Sequence, residues 1–110
     1  MSKKNFTYIW EYLVKDNFLS EFITAYGPEG DWVQLFRKAG GYIKTNLHQD
    51  TTNPNRFITV DFWKTRNDRD NFRKRFSDEF EKLDQRCEQF TESEKFLGDF
   101  DSISDHDPVD

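Results

Sequence analysis

The sequence has a single cysteine, three prolines and few aliphatic side chains, and it has no long apolar run. Cys87 alone cannot close an internal disulfide, so the fold must hold without staples, and the chain reads as one suited to a reducing, cytoplasmic setting. No stretch of about 18 apolar residues exists, so no membrane-spanning helix is expected. The opening MSKKNF leads into strand-like sequence and not into the apolar centre of a signal peptide. Positive charge is not in excess: 16 Lys+Arg stand against 21 Asp+Glu, a formal charge of −5. That balance offers no electrostatic footprint for nucleic acid or an anionic membrane. Four of the acids fall in residues 101–110, a stretch without Lys or Arg. We therefore read residues 1–100 as one nearly neutral domain and residues 101–110 as an acidic, disordered tail.

What the sequence does have is aromatic residues, 17% of the chain and twelve of them Phe. A core built from few, large rings can bury enough area to fold a chain this short. The rings are also periodic. In residues 6–14 Phe6, Tyr8, Trp10, Tyr12 and Val14 alternate with Thr7, Ile9, Glu11 and Leu13, which predicts a strand. Residues 42–49 and 56–64 read as two more strands, separated by the turn-rich DTTNPN. In the third strand Phe57, Thr59, Asp61 and Trp63 share one side, and Ile58, Val60 and Phe62 share the other. In the second, Ile43, Thr45 and Leu47 oppose Tyr42, Lys44, Asn46 and His48.

Helical spacing links these strands. Phe18, Phe22 and Tyr26 recur every four residues after a cap at Asp16 or Asn17, with Gly27 expected as a left-handed stop before Pro28. Asp31 is placed to cap a short second helix with Trp32, Leu35, Phe36 and Ala39 inside. Phe72, Phe76, Phe80, Leu83, Cys87 and Phe90 fall within an arc of roughly 80° on one long helix opening near Thr65 or Asn67. TESE at 91–94 reads as a turn of helix, and FLGDF at 96–100 as a short last strand in which Gly98 marks a bulge or close approach.

The order is βαββαβ with an extra helix, the ferredoxin-like α+β plan of an antiparallel sheet with helices on one face. Helices cover only that face, yet the first and third strands are apolar on both. A wet second face would exceed the apolar patch a monomer tolerates, so a homodimer packed sheet against sheet is expected.

The succession FTYIWEY, FITVDFW and a long amphipathic helix resembles the antibiotic biosynthesis monooxygenase family over residues 6–100. The most recognisable piece is Asp61-Phe62-Trp63-Lys64-Thr65. The resemblance implies a dimeric α/β barrel. Family enzymes either oxidise polycyclic phenols and anthrones with O2 and no cofactor, or degrade haem, and many relatives have no established activity. The haem-degrading branch carries a His about ten residues after the Trp, where this chain has Asn71-Phe72-Arg73-Lys74. That branch and the anthrone oxygenases also use an Asn in the first strand, and this chain has none there. The expectation is therefore a small aromatic ligand, no cofactor, no metal, and polar groups rearranged from the family's set. A non-catalytic ligand-binding or structural dimer of the same fold is the alternative.

Candidate site residues follow. Trp63 matches the family's strand-three Trp and is expected to stack on a flat ring, with Phe57 and Phe72 beside it. Tyr8, Trp10 and Tyr12 form a ladder that either lines a cavity or fills the barrel. His48 and Asp61 are the candidate proton acceptors, since a phenol must lose a proton before it reacts with O2. Asp61 and Glu11 are acids within apolar strands, where burial raises a carboxyl pKa unless a cation pairs with it. The RNA recognition motif shares this element order, and residues 56–62 echo its aromatic strand, but its glycines are missing and the charge is acidic.

Overall fold

The computed structural model describes residues 4–103. Strand β1 spans Asn5–Val14, β2 Tyr42–Gln49, β3 Arg56–Trp63 and β4 Thr91–Ser102. They form one antiparallel sheet in the order β2-β3-β1-β4, the ferredoxin-like arrangement expected from the element order. Helices α1 (Leu19–Tyr26), α2 (Asp31–Phe36), α3 (Arg66–Arg75) and α4 (Ser77–Cys87) supply the covering layer. Among the described residues no helix is long and apolar enough to cross a membrane.

Strand β3 shows why the sheet has an inside and an outside. Phe57, Thr59, Asp61 and Trp63 are buried, while Ile58, Val60 and Phe62 are half-buried on the opposite side. Register extends the covered side across the sheet: Phe6 pairs with Trp63, Tyr8 with Asp61, Trp10 with Thr59 and Tyr12 with Phe57. The open side carries Ile9, Leu13, Ile58, Val60 and Phe62, with Phe100 at 47% exposure. Lys44 lies 4.9 Å from the centre of the Phe62 ring there, and Glu11 is matched by Arg56 at 2.5 Å.

Several local expectations change. The first helix is entered through a 3-10 turn at Asp16–Phe18, and neither Asp16 nor Asn17 caps it. Gly27 is extended (φ −73°, ψ 175°) and not left-handed; a Cβ there would stand 2.8 Å from the Ile23 carbonyl oxygen, so close approach is what favours glycine. Gly30, not Asp31, holds the N-cap position of α2, and Asp31 instead pairs with Arg86 of α4. The single long helix is two: Phe76 leaves helical geometry (φ −115°, ψ 28°), although the Phe72, Cys87 and Phe90 stripe stays buried on both sides of the break.

The TESE stretch is strand and not helix. Strand β4 starts at Thr91 because it pairs with Val14, and it continues through Ser102. Gly98 (φ +146°) sits at a register shift, where Ile9 faces Gly98 but Trp10 faces Phe96. Tyr42 joins the covered side, since a register shift between Tyr42 and Lys44 breaks the alternation. Residues 101 and 102 thus belong to the last strand; residues 104–110 of the expected tail lie outside the described residues.

Candidate functional site

Between the covered side of the sheet and the helices lies a cavity of about 200 Å³. Strand β1 contributes Tyr8, Trp10 and Tyr12, and alternation alone puts these three on one wall. Tyr26 of α1 and Trp32 and Phe36 of α2 form the roof, with Phe80 of α4. Thr45, Thr59 and Asp61 are the polar floor. Arg73, Asp84 and Glu94 complete the lining. A cavity of about 150 Å³ accommodates benzene, so this one suits a molecule of one or two rings.

Asp61 is the chemical centre of that space. It is buried, and burial pushes its carboxyl up to about 7 from the ordinary carboxylate range. Two hydroxyls oppose that rise. Thr45 Oγ1 donates to Asp61 Oδ1 at 2.6 Å, and Tyr8 also favours the charged form. No cation pairs with it among the described residues. The three partners form one row of the sheet, since Tyr8 and Thr45 are both register partners of Asp61. A carboxyl that titrates near neutrality, next to apolar walls, is suited to exchange a proton with a bound weak acid.

The tyrosines do not compete with it as acids. Desolvation raises Tyr8, Tyr12 and Tyr26 well above the ordinary phenol value, so they stay neutral donors. Tyr12 receives a long 3.4 Å bond from Thr59. Partial desolvation and neighbouring carboxylates also raise Asp84 and Glu94.

The expected site residues thus divide. Tyr8, Trp10, Tyr12 and Asp61 meet in the cavity. Trp63, Phe57 and Phe72 lie in the core behind it, with 0%, 2% and 1% of their surface exposed. Trp63 is boxed by the rings of Phe36, Tyr42 and Phe72 at 5.4–5.7 Å, and its Nε1 has no partner. His48 is exposed on the open side of edge strand β2, opposite Ile58, with the sheet between it and the cavity.

Sequence reasoning missed nine lining residues, among them Tyr26, Trp32, Thr45, Arg73, Asp84 and Glu94. Arg73 of α3 and Asp84 of α4 fall outside the apolar stripe of that helical stretch, and Glu94 was hidden in a stretch read as helix. Only the helical spacing of Trp32 and Tyr26 pointed inward, toward core and cavity alike. Among the described residues no group of three His, Cys, Asp or Glu gathers to hold a metal.

No family model matches the chain, and no curated protein does. Solved structures do. A variant of SnoaB, a cofactor-independent oxygenase from Streptomyces nogalater, aligns over 97% of this chain and 99% of its own with a TM-score of 0.73 at 15% identity. A candidate antibiotic biosynthesis monooxygenase from Nitrosomonas europaea aligns over 97% and 98% (TM-score 0.72, 14% identity). Another from Bordetella bronchiseptica aligns over 92% and 99% (TM-score 0.71, 18% identity). At such identities the likeness speaks to architecture, and with the sheet order and helix placement above it is sufficient for that: the chain has the ferredoxin-like α+β fold of the antibiotic biosynthesis monooxygenase proteins.

Proposed function

We propose that this protein is a cofactor-independent oxygenase acting on a small phenolic or quinol-type aromatic molecule held in the Asp61 cavity. The observation that carries the reading is a buried carboxyl titrating near 7 at the floor of an aromatic-walled cavity. The SnoaB likeness supports the same reaction class.

In this reading Trp10 and Trp32 flank the ring and the neutral Tyr8 hydroxyl orients an oxygen substituent. Asp61, ionised, accepts the phenol proton. The electron-rich phenolate then reduces O2 and takes one oxygen atom at the para carbon. For a phenol with a free para position the balance is phenol plus O2 giving p-quinone plus water, so no external reductant is consumed. The protein's contribution is position, exclusion of water and a base of matched pKa.

The working unit in this reading is a homodimer. Ile9, Leu13, Ile58, Val60, Phe62 and Phe100 make one apolar side of the sheet that a second copy would cover. The lone, buried thiol of Cys87 fits a reducing, cytoplasmic setting.

Oxygen uptake with a panel of one- and two-ring phenols, quinols and anthrones tests the proposal. Uptake with formation of the quinone supports it. Tight binding without turnover by any member would favour a non-catalytic ligand-binding dimer, and neither binding nor turnover would leave the cavity without a role.

A further inference from the structure

A second, more open space of about 530 Å³ adjoins the cavity, sharing Tyr8, Trp10 and Arg73 with it. Its remaining lining is Phe96 with Arg69, Asp70, Lys74 and Asp99. Charge pairing there is uneven. Asp70 is taken by Arg69 at 2.9 Å, and Asp99 lies between Arg66 at 2.7 Å and Arg69 at 3.5 Å. Both acids of the vestibule are therefore matched. Of the three cations in this lining, Arg69 is matched, whereas Arg73 and Lys74 have no carboxylate within 4 Å among the described residues.

Arg73 is also held in place. Its guanidinium carbon lies over the Phe80 ring, 4.1 Å from the centre, a cation–π contact that leaves its N–H groups able to donate. The inner cavity carries three acids, Asp61, Asp84 and Glu94, with Arg73 at the boundary it shares with the vestibule and favouring the charged form of Asp84. The combined site is thus polarised, acidic within and cationic at the vestibule. A ligand carrying its own anion would lie with the ring inward and the anion outward.

We propose that cavity and vestibule form one site for an aromatic carboxylate, the ring between Trp10 and Trp32 and the carboxylate on Arg73, with Lys74 as a second cation. This rests on the cavity being the ligand site and adds the class of ligand. Arg73 offers two parallel N–H donors to a carboxylate, the geometry that favours Arg over Lys for such groups.

The test is a matched pair: a hydroxynaphthoic acid and its methyl ester, titrated against the full chain by quenching of tryptophan fluorescence. The acid is expected to bind about tenfold more tightly than the ester at low salt, with the preference shrinking as salt rises. Arg73→Gln should collapse the acid-to-ester ratio to near one, Arg73→Lys should retain part of it, and Lys74→Gln should reduce it. Equal binding of acid and ester, or tighter binding of the ester, overturns the carboxylate subsite and leaves the cavity reading standing. A ratio unchanged in both Arg73→Gln and Lys74→Gln overturns the assignment to these residues. Binding of neither compound overturns the subsite and the cavity reading together.

Discussion

Thr45 and Asp61 face each other across the β2–β3 ladder, and the Thr45 hydroxyl donates a 2.6 Å hydrogen bond to Asp61 Oδ1. Both residues are buried. The Tyr42 hydroxyl lies 2.7 Å from the same Thr45 oxygen. While Asp61 is ionised Thr45 spends its only proton on the carboxylate, so Tyr42 must be the donor to Thr45. A short chain of hydroxyls therefore supports the negative form of an acid that burial otherwise penalises.

Thr45→Val removes that support without opening a large cavity. Bonds to a buried charge contribute about 1.5–3 kcal/mol, so the Asp61 carboxyl should rise by about one to two pH units beyond its present value near 7. The pH midpoint of kcat/KM, or the carboxyl carbon signal of Asp61 by NMR, reads the shift directly. An unmoved midpoint would mean that Thr45 does not tune Asp61.

Stability should depend on pH through the same group. An unfolded Asp titrates near 3.9, whereas folded Asp61 titrates at about 7. Between those values the folded chain holds a proton that the unfolded chain has lost. Stability from this group is therefore greatest at low pH and declines as pH rises through about 7. Asp61→Asn cannot ionise, so it should raise the unfolding free energy relative to the parent at pH 8 by more than at pH 5, the difference being on the order of a few kcal/mol. Equal effects at the two pH values would contradict a raised carboxyl pKa.

Trp63 and Trp10 should separate in their effects. Trp63 is wholly buried among rings, so Trp63→Ala should cost about 3–5 kcal/mol in denaturant unfolding. Trp10 is half-buried on the cavity wall, so Trp10→Ala should weaken aromatic ligand binding while costing clearly less stability. The reverse ranking would move Trp63 into the site and Trp10 into the core.

These two tryptophans mark how far the sequence could be read. Strand alternation at residues 6–14 and 56–64 puts each on a defined side of its strand, and the structure shows that both sides are the covered one. Periodicity assigns a side chain to a face, however, and not to a depth. Whether a ring ends against another ring or against empty space depends on how α2 and α4 sit over the sheet, which no local pattern states. Asp61 stood out for a different reason: an acid between Val60 and Phe62, on the same side as Phe57 and Trp63, is costly to bury unless a partner meets it. Arg73, Asp84 and Glu94 were not legible. Charged residues on a helix face look alike in one dimension, and the strand pairing of Val14 with Thr91 overrode the helical signal of TESE.

The open side of the sheet predicts an assembly. Val60→Asp places a charge in the middle of the Ile58–Phe62 patch and should turn a dimer into a 13.3 kDa particle by sedimentation at micromolar concentration. The parent should sediment at twice that mass. A monomeric parent without dye-binding apolar surface would remove the case for the sheet-to-sheet dimer.

The most direct measurement of the central claim is oxygen consumption by the parent and by Asp61→Asn across pH 5–9, with a bicyclic phenol saturating the cavity. The rate should rise through a midpoint near 7 in the parent and fall by at least about a hundredfold in Asp61→Asn. A folded Asp61→Asn variant that consumes oxygen as fast as the parent, with the same pH profile, would contradict it.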